Sequence, residues 1–424
     1  MRATPAILFD ATRLLRRKNA GTPTGIDRVV FEHARWLLRT APEALVPVWN
    51  WRGRLSRIDT KKFSSYLSSV QNNWDDDIKG ASSRRLDRIV QRIDADIETN
   101  DAVREPRPLA PRNNAGWLGR FAESRKAFRY DPGSIYLSSA HSGLEVSGLL
   151  SSLKAGGAAA VVFIHDLIPI THPEFCRAGE KERHERRIRT TLAYAEQIVV
   201  NSRVTAHDLS SFAERERLCL PPVAVAPLGV GAAFHACKDA VETRRPYFLA
   251  VGTLEGRKNL SFLLMVWRLI SDMLGKDAPR LILVGRLGWE SESIIDLLDR
   301  SEHLKDTVIE IAGLADKELA VLLAGANGLL APSFAEGFNL PVAEALALGV
   351  PVIASDIPAH RELLAGRHQL LHPLDGPGWL SAIVKAAESR QKLSPDRVSL
   401  WTSHLDILDG VIKQALSSRR EGAS

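Results

Sequence analysis

The second half of this 424-residue chain alternates short apolar runs with longer helical stretches, and that alternation restricts the fold more than any other feature. The runs Tyr247–Val251, Arg280–Val284, Val308–Ile311, Gly328–Leu330 and Pro351–Ala354 read as strands, and helices fill the intervals. Strands that alternate with helices predict a parallel, doubly wound sheet with right-handed crossovers.

The first half opens the same way. Ala6–Asp10 reads as a buried strand, Asn19–Gly25 as a loop rich in glycine and threonine, Ile26–Leu38 as an amphipathic helix, and Leu45–Trp51 as a strand. Residues 52–130 break the rhythm with charge runs and a proline-rich piece, and are expected to be an insertion that is partly mobile linker. Strands return at Ile135–Leu137, Ala158–Ile164, Gln197–Asn201 and Val223–Val225, with helices at 180–195 and from about Arg203. The segment Pro227-Leu228-Gly229-Val230-Gly231 marks a domain boundary. The expected organisation is therefore α/β, with two Rossmann-like doubly wound domains (1–230 and 231–400) facing a central cleft. A helix over 400–416 crosses back to the first domain, and a disordered tail starts near Arg419.

Composition excludes several classes. With 45% hydrophobic and 25% charged residues, the chain is an ordinary globular one. Three cysteines at 176, 219 and 237 form neither a disulfide framework nor a metal motif, which points to a reducing cytoplasm. The apolar stretch Ala6–Phe9 is too short for a signal-peptide core, and the longest uncharged run, 319–335, is interrupted by Gly325 and Pro332. Residues 1–235 hold 35 Lys/Arg against 26 Asp/Glu, whereas residues 236–424 hold 21 against 24. A basic first half without a nucleic-acid motif favours a membrane surface or a phosphate-bearing partner over nucleic acid. The alternation of aromatic and basic residues from Trp117 to Tyr130 fits either a basic membrane-surface helix or a helix packed on its own domain.

Two elements carry chemistry. In Glu336-Gly337-Phe338-Asn339-Leu340-Pro341-Val342-Ala343-Glu344, Pro341 suits the first turn of a helix, Asn339 or Leu340 its cap, and Gly349 its end. Free N–H groups at that helix start favour a phosphate or a sugar oxygen. Glu336 before the helix and Glu344 inside it can meet one ligand at different points. In Gly252-Thr253-Leu254-Glu255-Gly256-Arg257-Lys258-Asn259, adjacent cations follow a strand end, a donor fork beside a point charge that suits a diphosphate. Neither the Gly21–Gly25 loop nor Gly285-Arg286-Leu287-Gly288 has the Gly-x-Gly-x-x-Gly spacing that a nicotinamide-dependent oxidoreductase requires.

The order Gly252, Arg257-Lys258-Asn259, Leu283-Val284-Gly285, Ala312-Gly313-Leu314, Glu336-Gly337-Phe338-x-Leu340-Pro341-x-x-Glu344 and Gly349-Val350-Pro351 resembles the GT4 family of retaining glycosyltransferases, of GT-B fold and bacterial-mannosyltransferase type. The resemblance covers 245–365 well and the first half patchily. It implies that Arg257 and Lys258 hold the donor diphosphate, that Glu336 contacts donor-sugar hydroxyls, and that Glu344 binds the ribose. The amides of Phe338, Asn339 and Leu340 would take sugar and phosphate oxygens. Leu314 would meet the base through its backbone, with Gly285 and Arg286 lining the same pocket. Thr24-Gly25-Ile26 resembles the glycine loop across the cleft, and His165-Asp166 the histidine segment near donor sugar and acceptor, with His141 and His172 as weaker candidates. The chain departs from the family at Asn339, Leu314 and Thr253.

No Asp-x-Asp motif stands at a strand end, so the implied reaction is metal-independent, with no cofactor beyond a nucleotide-diphosphate sugar. The implied mechanism is a same-face displacement in which the leaving phosphate takes the proton. The expected donor is GDP-mannose ahead of UDP- and other sugars, and the expected acceptor a growing surface polysaccharide or lipid-linked oligosaccharide at the inner face of the cell membrane. The rival readings are a non-catalytic nucleotide-sugar or glycan-binding protein, a sugar-nucleotide epimerase and an NAD-dependent oxidoreductase.

Overall fold

The computed structural model describes residues 5–17, 23–75, 81–95, 128–146, 148–364 and 366–421. Two sheets organise the chain. The first has the order β3-β2-β1-β4-β5-β6-β7, from β1 (Ile7–Asp10), β2 (Leu45–Trp51), β3 (Arg54–Arg57), β4 (Ile135–Ser138), β5 (Ala159–Ile164), β6 (Gln197–Val200) and β7 (Val223–Val225). All its pairings are parallel except β2 with β3. The second is parallel throughout, in the order β10-β9-β8-β11-β12-β13. Its strands are β8 (Tyr247–Val251), β9 (Arg280–Val284), β10 (Val308–Ile311), β11 (Gly328–Ala331), β12 (Val352–Ser355) and β13 (Gln369–Leu371). Both domains are Rossmann-like, as the alternating pattern predicts.

Strand order reverses between β1 and β4 in one sheet and between β8 and β11 in the other. Loops leaving neighbouring strands at such a point diverge to opposite faces and open a crevice at the carboxyl ends. The two crevices face each other. A continuous buried apolar cluster joins the domains, running from Phe9, Val30 and Phe163 through Leu228 and Phe234 to Leu323 and Ala343.

The reading of 52–130 as insertion and mobile linker is corrected for its described part. β3 forms a hairpin with β2, and α3 (Thr60–Asp75) and α4 (Ala81–Asp94) pack on the core through Phe63, Tyr66, Leu67, Val70, Ile89 and Ile93. These apolar residues keep helical spacing but sit among serines and charges, which hid the stripe. The stretch Trp117–Phe121 lies outside the described residues.

α4 reaches the second domain. Arg85 donates to the carbonyls of Ala312 (2.6 Å) and Gly313 (2.8 Å). Asp94 accepts the backbone N–H groups of Arg244 (2.9 Å) and Arg245 (3.1 Å). Buried Arg280 donates to the carbonyls of Ile93 and Ala95 beyond the helix end, where cations are favoured.

The C-terminal helix Trp401–Glu421 lies against β4 to β7 and buries Leu405, Leu408, Val411, Ile412 and Ala415. It extends through Arg419 and Arg420, so the tail expected to be disordered from Arg419 is helical to Glu421. Among the described residues no helix is long and apolar enough to cross a membrane.

Asp94→Ala should cost about 1–2 kcal/mol, because two backbone donors lose a charged acceptor. Thermal unfolding should show a fall of a few degrees, and limited proteolysis should cut the 60–95 segment faster than in the wild type.

Candidate active site between the two sheets

The catalytic and donor-binding residues singled out from the sequence, apart from the weaker candidates His141 and His172, line one cleft, with about 390 Å³ open to water-sized molecules. His165 and Gly25 come from the first domain. Arg257, Lys258, Glu336, Gly252, Gly285, Arg286, Leu314, Phe338, Asn339, Leu340 and Glu344 come from the second. His141 and His172 are not among the lining residues. His141 instead accepts the backbone N–H of His165 at 3.1 Å and packs edge-on against that ring.

The loops after β8 and β11 meet at the crevice of the second sheet. Glu336 accepts from Arg257 (2.6 Å), Lys258 (2.5 Å) and Ser333 Oγ (2.7 Å), and its side chain is 6% exposed. Burial pushes its pKa up, but the two cations outweigh burial and hold the carboxyl well below its usual range. Arg257 pairs with Glu255 as well, at 2.6 Å. The two cations are therefore fixed in place before any ligand arrives, which is the condition for electrostatic stabilisation without reorganisation.

Helix Leu340–Leu348 follows, capped by Asn339 and ended by Gly349, both in the left-handed region. The departure at Asn339 thereby has its explanation. Its φ of 69° suits glycine, and asparagine tolerates it better than most residues. Its Nδ2 donates to His360 Nε2 (2.8 Å), and His360 Nδ1–H donates to the carbonyl of Ser355 (2.7 Å), which holds the cap in place.

Glu344, eight positions beyond Glu336, behaves oppositely. It is 4% exposed, and no hydrogen bond reaches its side chain among the described residues. Burial lifts its pKa to about 7, with Asp316 adding to the rise and Arg28 opposing it. Arg28 is itself taken by Asp316 in a two-pronged pair that links the helix Gly25–Thr40 of the first domain to the second domain. A buried polar group without a partner usually awaits one, and this one lies on the cleft wall.

On the facing wall, Thr24 caps helix α2 (Gly25–Thr40) in a reciprocal box with Asp27 and sets Gly25 at the crevice of the first sheet. His165 ends β5. Burial brings its pKa down to about 4, so the ring is neutral near pH 7. Its Nε2–H donates to the carbonyl of Ser139 at 2.9 Å, which leaves Nδ1 without a partner among the described residues. Gly337 closes the gap between the domains. A Cβ there would stand 2.3 Å from the carbonyl oxygen of His165, and Ser202 Oγ donates to the Gly337 carbonyl at 2.6 Å.

Sequence reasoning missed Arg13, Arg17 and Arg28 on the cleft wall, and Ser333 and Glu255 behind it, whereas Asp166 of the histidine segment does line the cleft. The available signal was Arg13-x-x-x-Arg17 at helical spacing directly after strand β1.

Two Rossmann-like domains with facing crevices constitute the GT-B architecture. HepE of Anabaena in complex with UDP and glucose superposes with a TM-score of 0.58, at 14% identity and 99% coverage of both chains. Sucrose-phosphate synthase from Thermosynechococcus elongatus gives 0.50, at 20% identity over 69% of this chain and 72% of that one. Residues 245–389 match the family Glycosyl transferases group 1, in line with the resemblance. The chain is also similar to bacterial mannosyltransferases. The serotype-specific mannosyltransferase WbdA of Escherichia coli is 28% identical over 59% of this chain and 32% of that protein. The O-antigen chain mannosyltransferase B of Escherichia coli is 34% identical over 30% and 33%. The chain thus spans about a third of the length of these relatives.

The raised pKa of Glu344 has a sign that can be checked. Between its ordinary value of 4.5 and about 7 the folded chain holds a proton that the unfolded chain has lost, so stability falls as pH rises through that window. Glu344→Gln should remove this fall. Its Tm relative to the wild type should rise from pH 5 to pH 8, by an equivalent of at most about 3 kcal/mol. An equal Tm difference at both pH values would refute the assignment.

Proposed function

We propose that the chain is a retaining glycosyltransferase that moves a hexosyl group from a nucleotide-diphosphate sugar to a glycan acceptor. The observation that carries the reading is Glu336, buried and held by Arg257 and Lys258 where strand order reverses, with the unpartnered Glu344 along the same wall. Arg257 and Lys258 would stabilise the charge that grows on the departing diphosphate. Glu336, fixed as a carboxylate, would accept from a donor-sugar hydroxyl, and Glu344 would meet the ribose hydroxyls. His165 would border the donor sugar on the acceptor side.

The bond from the anomeric carbon to the phosphate oxygen breaks, and one to the acceptor oxygen forms on the same face. The acceptor proton passes to the leaving phosphate. The donors of Arg257 and Lys258, fixed in place, would take the leaving-group oxygens, so we propose a metal-independent reaction. Enzymatic double displacement with retention would need two carboxyls about 5 Å apart around the reacting carbon. The opposite environments of Glu336 and Glu344 fit separate duties better.

The mannosyltransferase relatives support mannose as the sugar, and we propose GDP as its carrier. The basic first half supports an acceptor at an anionic surface, a growing surface polysaccharide or lipid-linked oligosaccharide at the inner face of the membrane, with the protein cytoplasmic and peripheral.

Glu336→Gln should lower kcat about 100- to 1,000-fold, and Lys258→Met should act in the same direction. Transfer assays with GDP-mannose and UDP-glucose, with and without EDTA, provide the check. Turnover that disappears with EDTA would refute metal independence, and a wild-type rate in Glu336→Gln would refute the site.

A further inference from the structure

Arg257 and Lys258 carry no surplus charge. Glu255 and Glu336 match them, with every ion pair at 2.6 Å or less. The cationic surplus of the cleft lies elsewhere. Arg13 belongs to the short helix α1 (Thr12–Arg16), and Arg17 follows one turn later. Both place Nε 2.7 Å from Asp27, Arg13 as a hydrogen bond and Arg17 as an ion pair, and Arg13 Nη2 also donates to Thr24 Oγ1 at 3.1 Å. Among the described residues, Arg13 Nη1 and both Nη groups of Arg17 have no partner.

Arg286 reaches the same cleft from the loop after β9. Its guanidinium makes no hydrogen bond or ion pair among the described residues. Burial, and then the charge of Arg17, pulls its pKa below the ordinary value. Like charges are thus gathered on the cleft wall, three guanidiniums against one carboxylate. The arrangement is braced, because Tyr66 donates to the carbonyl of Leu14 at 2.6 Å and the capping box holds Asp27. Half-buried cations short of a counter-ion favour an anion, and forked guanidinium donors match phosphate oxygens.

We propose that Arg13, Arg17 and Arg286 form a second phosphoryl-binding subsite, distinct from Arg257 and Lys258 and shared between the two domains. The inference rests on the transferase reading only for the source of the phosphoryl group, which is either the donor diphosphate or a phosphate on the acceptor.

Calorimetric titration of the full chain tests it with inorganic pyrophosphate, GDP, UDP, and mannose 1-phosphate at saturating GDP. Arg286→Gln removes no hydrogen bond or ion pair among the described residues and should fold as the wild type does, which a matching Tm would verify. Arg17→Gln leaves Arg13 on Asp27. Each variant should bind pyrophosphate roughly tenfold more weakly or worse. An equal loss for GDP or UDP identifies the donor diphosphate as the source. Unchanged nucleotide affinity with weakened mannose 1-phosphate identifies an acceptor phosphate. If neither variant weakens any of these phosphate-bearing probes, the subsite is refuted. If pyrophosphate binds through the arginines but no nucleoside diphosphate binds, the transferase reading fails and the subsite stands.

Discussion

A carboxylate removed from water has to be matched by charge, and Glu336 is matched twice. Its pairing with Arg257 and Lys258 requires the loops after β8 and β11 to meet, and the parallel pairing of these two strands starts both loops side by side at the crevice. Much of the second domain follows from that demand. Ser333 supplies the third hydrogen bond, Glu255 takes the remaining side of Arg257, and the chain then turns through Gly337 into the helix that carries Glu344. Gly337 also sets how closely the other domain approaches, since its lack of a side chain lets the His165 carbonyl come near. The charge network and the domain contact therefore share one loop.

The two glutamates show how environment alone separates identical side chains. Cations hold Glu336 ionised, whereas burial without a hydrogen bond brings Glu344 to the edge of neutrality. One is a permanent acceptor. The other can donate or accept, which suits a pair of vicinal hydroxyls whose own protons can point either way. The cleft thus grades from fixed charge at one end of the helix to adjustable polarity one turn inside it.

Legibility followed burial. β2, β7, β8, β9 and β10 have the limits read from the sequence, and for β8 and β9 the reason is that a strand covered on both faces is a continuous apolar run that ends where the loop begins. The Glu336 to Glu344 segment was legible for a related reason. Pro341, Asn339 and Gly349 each have a backbone conformation that few residues accept, so their order encodes a helix with defined ends. α3 and α4 were misread because their single apolar stripe is thin and the surrounding composition imitates a linker. Arg13 and Arg17 were missed because Arg13-Leu14-Leu15-Arg16-Arg17 reads as a solvated basic run, and only tertiary structure shows Asp27 between them. The inter-domain bonds of Arg85, Asp94 and Arg28 left no local trace, since each joins residues more than a hundred positions apart.

The helix Trp401–Glu421 covers the first sheet, yet the ribosome makes it after the whole of the second domain. Until it emerges, β4 to β7 lack the side chains of Leu405, Leu408, Val411 and Ile412, and His33 lacks His404, whose Nε2 lies 2.8 Å from its own. The order of synthesis and the order of completion are therefore reversed. The second domain can close its core as it leaves the ribosome, while the first waits with one face uncovered. During translation the vulnerable part of this molecule is the part made first.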